Sequence, residues 1–339
     1  MTRCRVSNVL IVFGGRSVEH NVSIESVRGA LPSIKNAGYN TKLWYISSCG
    51  GWMVGYHIDD ILSTTVTVQK YSSACEVIEF IKDVDIVFPI IHGRDGEDGS
   101  IQGFFQLFGK PVIGASILGS AICLDKVLSK QVAMTCGIPV TPYIYYDRRN
   151  ISNISYRKIC AKLGKTLCVK PNSLGSSIGV NIVNSEEELE RSIQLVFQFD
   201  EMVLIEKAIN GREISCGIIG KTSLISSVVG EVYVDGVYSY DKKYDNKSKK
   251  LLIPADIDAS ISKSIREQTV YLCNKLRVSG MARVDYFMLA CGSVLFNEVN
   301  TIPSIDKDSM FSSLWAATGI NSDELFRKII DNHCVTTYA

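Results

Sequence analysis

The sequence offers almost no surplus of charge: Lys and Arg number 36 against 35 for Asp and Glu. So close a balance excludes the broad field that draws a chain to nucleic acid or to an anionic membrane surface, and neither is expected as a partner. An uncharged apolar run of membrane-spanning length is also missing. The eleven cysteines, among them Cys4, Cys75, Cys123, Cys160, Cys216 and Cys291, are odd in number and scattered, with no Cys-x-x-Cys spacing and no nearby His. That pattern argues against a zinc site and for reduced, mostly buried thiols in a cytoplasmic protein. The apolar run from Val9 to Phe13 behind Arg3 and Arg5 is too short for the core of a signal peptide and stops at Gly14 and Gly15. There is no internal repeat and no low-complexity tract.

What is present is core-forming material. A chain of 339 residues with 46% hydrophobic residues can bury a sizeable core, and its length suggests two or three domains. Asn8 to Phe13 reads as a buried strand running into a Gly-rich turn, followed by a helix from Ser23 with Ile24, Val27 and Leu31 on one face. Asp85 to Ile91 reads as a second buried strand that ends in a loop of glycines and carboxylates. Strands alternating with helices imply a parallel α/β first domain, with function at the strand C-terminal ends.

From about Gly114 the texture changes. A helical stretch passes through Lys126 and Lys130, a turn falls at 137–139, and Leu167 to Lys170 reads as a short strand before the Ser-rich loop 172–179. Ser185 with Glu188 forms a capping box ahead of a helix carrying Leu189, Ile193, Val196 and Phe197 on one face. Met202 to Ile205 and Ile214 to Ile219 read as strands, and 236–250 as a long polar loop of the kind that is usually functional. Asp258 caps a helix, and Ala282 to Leu289 pairs with Ser293 to Asn300 as a hairpin.

That hairpin carries the sharpest chemical signal. Residues two apart on a strand point to one face, so Arg283 accompanies Asp285, and Glu298 accompanies Asn300. Three oxygen ligands and a cation then converge, the composition that a magnesium-nucleotide site requires, although a surface hairpin with alternating polar residues has the same pattern. The loop 171–179 offers glycines, hydroxyls and N–H groups to a phosphate chain directly after a strand ending in Lys170. It is not a Walker A loop, because no Gly-Lys-Ser/Thr closes it. Gly14 and Gly15 after the first strand lack the Gly-x-Gly-x-x-Gly spacing, which disfavours a Rossmann cofactor; Glu19, at a strand end, suits a substrate ammonium group.

Several runs resemble, in order, the signatures of the D-alanine:D-alanine ligases: Val12 to Glu19, His92 to Gly103, Asp125 with Lys126, Lys170 with Pro171, Gly175 to Gly179, Ile205 to Lys207, Lys243 with Tyr244, Arg283 to Asp285, and Asn297 to Thr301. The resemblance covers essentially the whole chain. It implies an ATP-grasp fold, α/β and α+β: a parallel α/β N-terminal substrate domain (1–114), then two α+β domains (115–204 and 205–339) that enclose the nucleotide. It implies ATP, two Mg²⁺ ions for which Mn²⁺ can substitute, and a homodimer.

By the same resemblance Lys126 and Lys170 hold phosphates, with Ser176, Ser177 and Lys243 among the nucleotide contacts. Glu206 and Lys207 border the adenine, Glu213 takes the ribose, and Asp285, Glu298 and Asn300 bind the metals. Glu19 anchors the first D-alanine's amino group, and His92 lines that site. Ser176 and Tyr244 join Glu19 in a hydrogen-bonded group when the loop closes, and Tyr244 favours an amine acceptor over a hydroxyl one. Arg283 stabilises the acyl phosphate and the oxyanion, Ser304 supplies an N–H, and Ser309 binds the second carboxylate. After Thr301 the family usually continues with Pro-Gly and a His-Ser pair, whereas this chain runs Pro303, Ser304, Ile305, Asp306, Lys307, Asp308, Ser309.

The implied activity is ATP-dependent joining of two D-alanines through an acyl phosphate, with release of ADP and phosphate, for peptidoglycan precursor synthesis. A related ligase with another acceptor, such as D-lactate, and a nucleotide-binding regulator without turnover are the alternatives.

Overall fold

A computed structural model describes residues 7–55, 58, 71–234 and 249–333. The first sheet contains β1 (Asn8–Gly14), β2 (Asn40–Ile46), β3 (Trp52–Val54) and β4 (Ile86–Ile90), in the order β3-β2-β1-β4. β1 runs parallel to β2 and β4, and β3 closes the edge antiparallel to β2. Around it lie α1 (His20–Asn36), α2 (Ala74–Lys82) and α3 (Ser100–Leu107). β1 is apolar along its length because both its faces are covered. Val9, Ile11 and Phe13 pack into one core with Val27 and Ile34 of α1, while Leu10 and Val12 pack into another with Val77 of α2 and Phe105 of α3. α1 begins at His20, ahead of the Ser23 start expected from apolar spacing. Its first turn is polar or exposed and so carries no periodic signal.

The helical stretch at Lys126 is two helices, α4 (Ile117–Leu124) and α5 (Lys126–Thr135), broken at Asp125, which is extended and accepts from Leu128 N at 2.8 Å as the N-cap of α5. The second sheet is antiparallel, order β5-β8-β6-β7, from β5 (Tyr143–Asp147), β6 (Leu167–Pro171), β7 (Asn181–Val183) and β8 (Met202–Lys207), covered by α6 (Tyr156–Leu163) and α7 (Glu186–Val196). At the start of α7, Ser185 accepts from Glu188 N, but the Glu188 carboxylate accepts from Asn184 N instead of Ser185 N. The expected reciprocal box is therefore displaced by one residue. β8 runs through residue 205, where the sequence reading began the third domain.

The third sheet, order β11-β10-β9-β12-β13, uses β9 (Arg212–Gly220), β10 (Leu224–Val234), β11 (Lys249–Leu252), β12 (Gly280–Met288) and β13 (Val294–Asn300). α8 (Ala259–Lys275) starts at the expected cap, Asp258, which accepts from Ser260 N. β10 went unnoticed in the sequence because its alternation is interrupted by a bulge between Ser226 and Val229. Lys249 and Lys250, assigned to the long loop, belong to β11; residues 235–248, and with them Lys243 and Tyr244, lie outside the described residues. α9 (Met310–Ala317) and α10 (Ser322–Asp331) return to the first sheet, where Trp315, Phe326 and Ile330 complete the core of Val9, Ile11 and Phe13. Tyr39 also donates to Asp331 at 2.7 Å. The last described helix thus packs against the sheet that holds β1. No helix among the described residues is long and apolar enough to cross a membrane.

Candidate active site

The β12–β13 register sets Arg283 opposite Asn300 and Asp285 opposite Glu298. Arg283 grips Asp285 through two 2.8 Å bonds, Nε to Oδ1 and Nη2 to Oδ2. Ser215 on β9 donates to the same carboxylate at 2.6 Å, and Asn300 Nδ2 donates to it at 2.9 Å. Burial works against the Arg283 charge, but Asp285 and Glu298 outweigh it and raise the guanidinium's pKa.

β6 and β8 run antiparallel and bring Lys170 beside Glu206. Lys170 Nζ lies 2.7 Å from Glu206 Oε2 and 3.3 Å from Asn297 Oδ1, while Lys130 Nζ lies 2.9 Å from Glu206 Oε1. Burial alone would push Glu206 up, yet the two lysines hold it at about 2. Both Glu206 oxygens are therefore engaged by cations. Lys126, at the start of α5, donates to Leu174 O of the Ser-rich loop at 2.6 Å and sits 3.4 Å from Glu298. Burial pushes Glu298 up as well, and Lys126 and Lys170 bring it below its usual value.

A cavity of about 300 Å³ lies between the second and third sheets. Lys126, Lys170, Ser177, Glu206, Lys207, Glu213, Arg283, Asp285 and Glu298 all line it, with apolar wall from Ile209, Val232 and Leu251. Ser176 and Ser177 both hold positive φ, 51° and 58°, a conformation that costs a non-glycine residue energy and tends to persist at functional loops. Two carboxylates and an amide are hard donors that fit Mg²⁺. Among the described residues no group of three or more His, Cys, Asp or Glu could hold an ion alone. A Mg²⁺ here would need phosphate oxygens to complete its shell, its usual habit with nucleotides.

Glu19, His92, Ser176, Asn300, Ser304 and Ser309 lie outside that lining, and the first three gather beside it. Ser176 Oγ donates to Glu19 Oε1 across 157 residues, and Glu19 Oε2 is buried with no hydrogen-bond partner among the described residues. Glycines from two loops make room for this carboxylate: a Cβ on Gly93 would stand 2.7 Å from Glu19 Oε2, and one on Gly175 would stand 3.2 Å from Oε1. Burial, the largest influence, and the nearby Glu97 raise the Glu19 pKa against the Ser176 bond. His92 packs with Nε2 3.1 Å from Ser26 Oγ, and burial pulls it toward the neutral form. Ser309 caps α9, accepting from Ser312 N and donating to Asp306 O. Ser304 is half-buried, and Lys307 and Asp308 are exposed.

Sequence reasoning gave no role to Lys130, Ser215 or Glu97. Lys130 left a trace in its four-residue spacing from Lys126 on one helix face, and Glu97 in its place within the His92 to Gly103 run; Ser215 left none. Glu97 is half-buried and links the first region to the third: Oε2 accepts from Gly93 N at 2.8 Å, and Oε1 accepts from Thr301 N, Thr301 Oγ1 and Ile302 N at 2.9 to 3.2 Å.

Two sheets bracketing a cavity lined by lysines and oxygen ligands, with a parallel α/β region beside it, define an ATP-dependent ligase of the ATP-grasp fold. The described families "D-ala D-ala ligase N-terminus" and "D-ala D-ala ligase C-terminus" match residues 8–115 and 132–331, and the chain belongs to the D-alanine–D-alanine ligase family. It is 36% identical to the D-alanine–D-alanine ligase of Prochlorococcus marinus (strain MIT 9312), over 95% of this chain and 96% of that one. It is 35% identical to D-alanine–D-alanine ligase A of Escherichia coli (strain K12), over 95% and 94%. Among solved structures it is similar to the VanG D-Ala:D-Ser ligase of Enterococcus faecalis, with TM-score 0.83, 32% identity, and coverage of 97% of this chain and 100% of that one. The D-alanine–D-alanine ligase of Coxiella burnetii matches with TM-score 0.80, 28% identity, and coverage of 97% and 95%.

Proposed function

We propose that this protein joins two D-alanine molecules, using ATP to activate the first as an acyl phosphate, and so supplies a dipeptide for peptidoglycan precursors. The observation that carries the reading is the adjacency of a cation-lined cavity to a buried carboxylate with one unpartnered oxygen. The first suits a triphosphate and the second suits a substrate ammonium. The working units are 1–114, 115–207 and 208–339, the last boundary standing past Lys207 so that β8 stays whole, and the assembly is a homodimer in the cytoplasm.

Lys126 and Lys170 hold the phosphates, with Ser176 and Ser177 contributing from the loop between them. Glu213 faces the ribose, and Glu206 and Lys207 border the base. Asp285, Glu298 and Asn300 would hold Mg²⁺, which when bound offsets phosphate charge. Glu19 receives the ammonium of the first D-alanine, with His92 beside it. That substrate's carboxylate oxygen attacks the γ-phosphorus and ADP leaves. The amine of the second D-alanine, deprotonated, then attacks the acyl carbon, and phosphate departs with the C–O electron pair. Arg283 steadies the acyl phosphate and the tetrahedral oxyanion, aided by the Ser304 N–H. Ser309, at the N-terminus of α9, receives the second carboxylate, where unpaired N–H groups favour an anion. Lys243 and Tyr244 enter from the segment outside the described residues.

Phosphate release from ATP with Mg²⁺ tests this, in the absence of amino acid and with D-alanine, L-alanine, or D-alanine plus D-lactate or D-serine, with products identified by mass. Release that depends on D-alanine and yields the dipeptide is the expected result. ATP binding without D-alanine-dependent release would reject it in favour of a regulator. The D-serine arm is included because of the likeness to a D-Ala:D-Ser ligase and the unusual 304–308 segment; a mixed product would move the reading to another acceptor.

A further inference from the structure

Lys130 is fully buried, one helical turn beyond Lys126 on the same face of α5, and it touches no part of the cavity. Its Nζ donates to Asn297 O at 2.8 Å and Phe296 O at 3.5 Å and forms an ion pair with Glu206 Oε1 at 2.9 Å; burial lowers its pKa, and the Glu206 charge opposes that shift. The Phe296 ring lies 5.7 Å away. On its far side Glu206 meets Lys170, which does line the cavity, at 2.7 Å. One buried carboxylate thus serves two ammonium groups, of which only one can reach a ligand.

We propose that Lys130 is a positioning residue for the phosphate end of the nucleotide site: by sharing Glu206 it leaves the Lys130–Glu206–Lys170 group with one net positive charge, presented to the cavity through Lys170. Without Lys130, Glu206 would cancel Lys170 one for one, and a triphosphate would lose one unit of attraction at a site shielded from water. The inference rests on the reading of the cavity as an ATP site. A plain strut is the competing role, because Lys130 also ties β8 to β13. The two roles differ in what they predict: a strut supports base and phosphates alike, whereas a charge acts on the phosphates.

Dissociation constants of the full-length chain for ATP and for adenosine, measured by calorimetry without D-alanine, separate them. Lys130→Met should weaken ATP about tenfold and leave adenosine within about twofold. Lys130→Met with Glu206→Gln should return the ATP-to-adenosine ratio to within about threefold of the unmodified chain, since Lys170 is then no longer cancelled. Equal weakening of both ligands by Lys130→Met, or a double variant that stays weak for ATP alone, would overturn the proposal. If Lys130→Met does not fold, Lys130→Gln, polar but uncharged, takes its place with the same two outcomes: a tenfold loss for ATP alone supports the charge role, and equal weakening of both ligands overturns it. Failure of the unmodified chain to bind ATP would instead sink the nucleotide reading, and this inference with it.

Discussion

The two sides of the site are built on opposite electrostatic plans. On the nucleotide side these carboxylates of the described residues are matched by cations: buried Glu206 by Lys130 and Lys170, half-buried Glu298 by Lys126 and half-buried Asp285 by Arg283. On the amino-acid side Glu19 keeps one buried oxygen without a partner among the described residues, and its pKa is raised. A buried acceptor left unsatisfied costs free energy until something donates to it. The comparison teaches what each side is arranged to receive: an anion where cations are held in place by their counter-charges, and a cation where a carboxylate forms no ion pair among the described residues.

Removing the cation nearest the chemistry should have the largest effect. Arg283→Ala is expected to lower turnover roughly 10²- to 10³-fold, the size of one lost oxyanion donor, in a steady-state phosphate-release assay; near-normal turnover would remove Arg283 from the reaction. Glu19→Gln should raise KM for the first D-alanine about 10- to 100-fold, the worth of a charged hydrogen bond, while leaving the ATP dissociation constant alone. If ATP binding suffers equally, the two sides are not separate.

The same residue gives a pH dependence. Only the carboxylate form attracts the ammonium, and its raised pKa brings protonation at a higher pH than for an ordinary glutamate. First-substrate KM should therefore climb as pH falls through that value, and a KM profile of Glu19→Gln should lack the climb. Glu97→Gln should disturb both sides together, because its carboxylate holds Gly93 and the segment after Asn300. A loss of about 2 kcal/mol, seen as a melting point lower by several degrees, is expected along with rises in KM for both substrates; an unchanged melting point would show the linkage to be idle. The smallest effect belongs to Asp308→Asn, whose carboxylate is exposed: second-substrate KM should stay within about twofold. A larger change would place Asp308 against the acceptor.

Much of this was legible in the chain. The hairpin could be paired on paper because strand periodicity is local, and the observed register joins the four residues that were expected together. The start of α1 and the displaced capping contact at Ser185 were missed by one to three residues, since helix ends are decided by which polar group happens to reach an open N–H. β10 was hidden by its bulge. Asp306 and Asp308 looked alike in sequence, but Asp308 faces solvent while Asp306 is half-buried, packed where Gly29 of α1 leaves space for it.

The sequence by itself determined the alternation of strands and helices, the hairpin's chemistry and the order of the family's signatures, all of which depend on residues close together in the chain. Only the tertiary structure decided that Lys130 and Lys170 share Glu206 and that Glu97 ties Gly93 to Thr301 and Ile302. The reason is physical: charge pairing depends on distance in space and on exclusion of water, and no spacing along a chain records either until sheets and helices have packed.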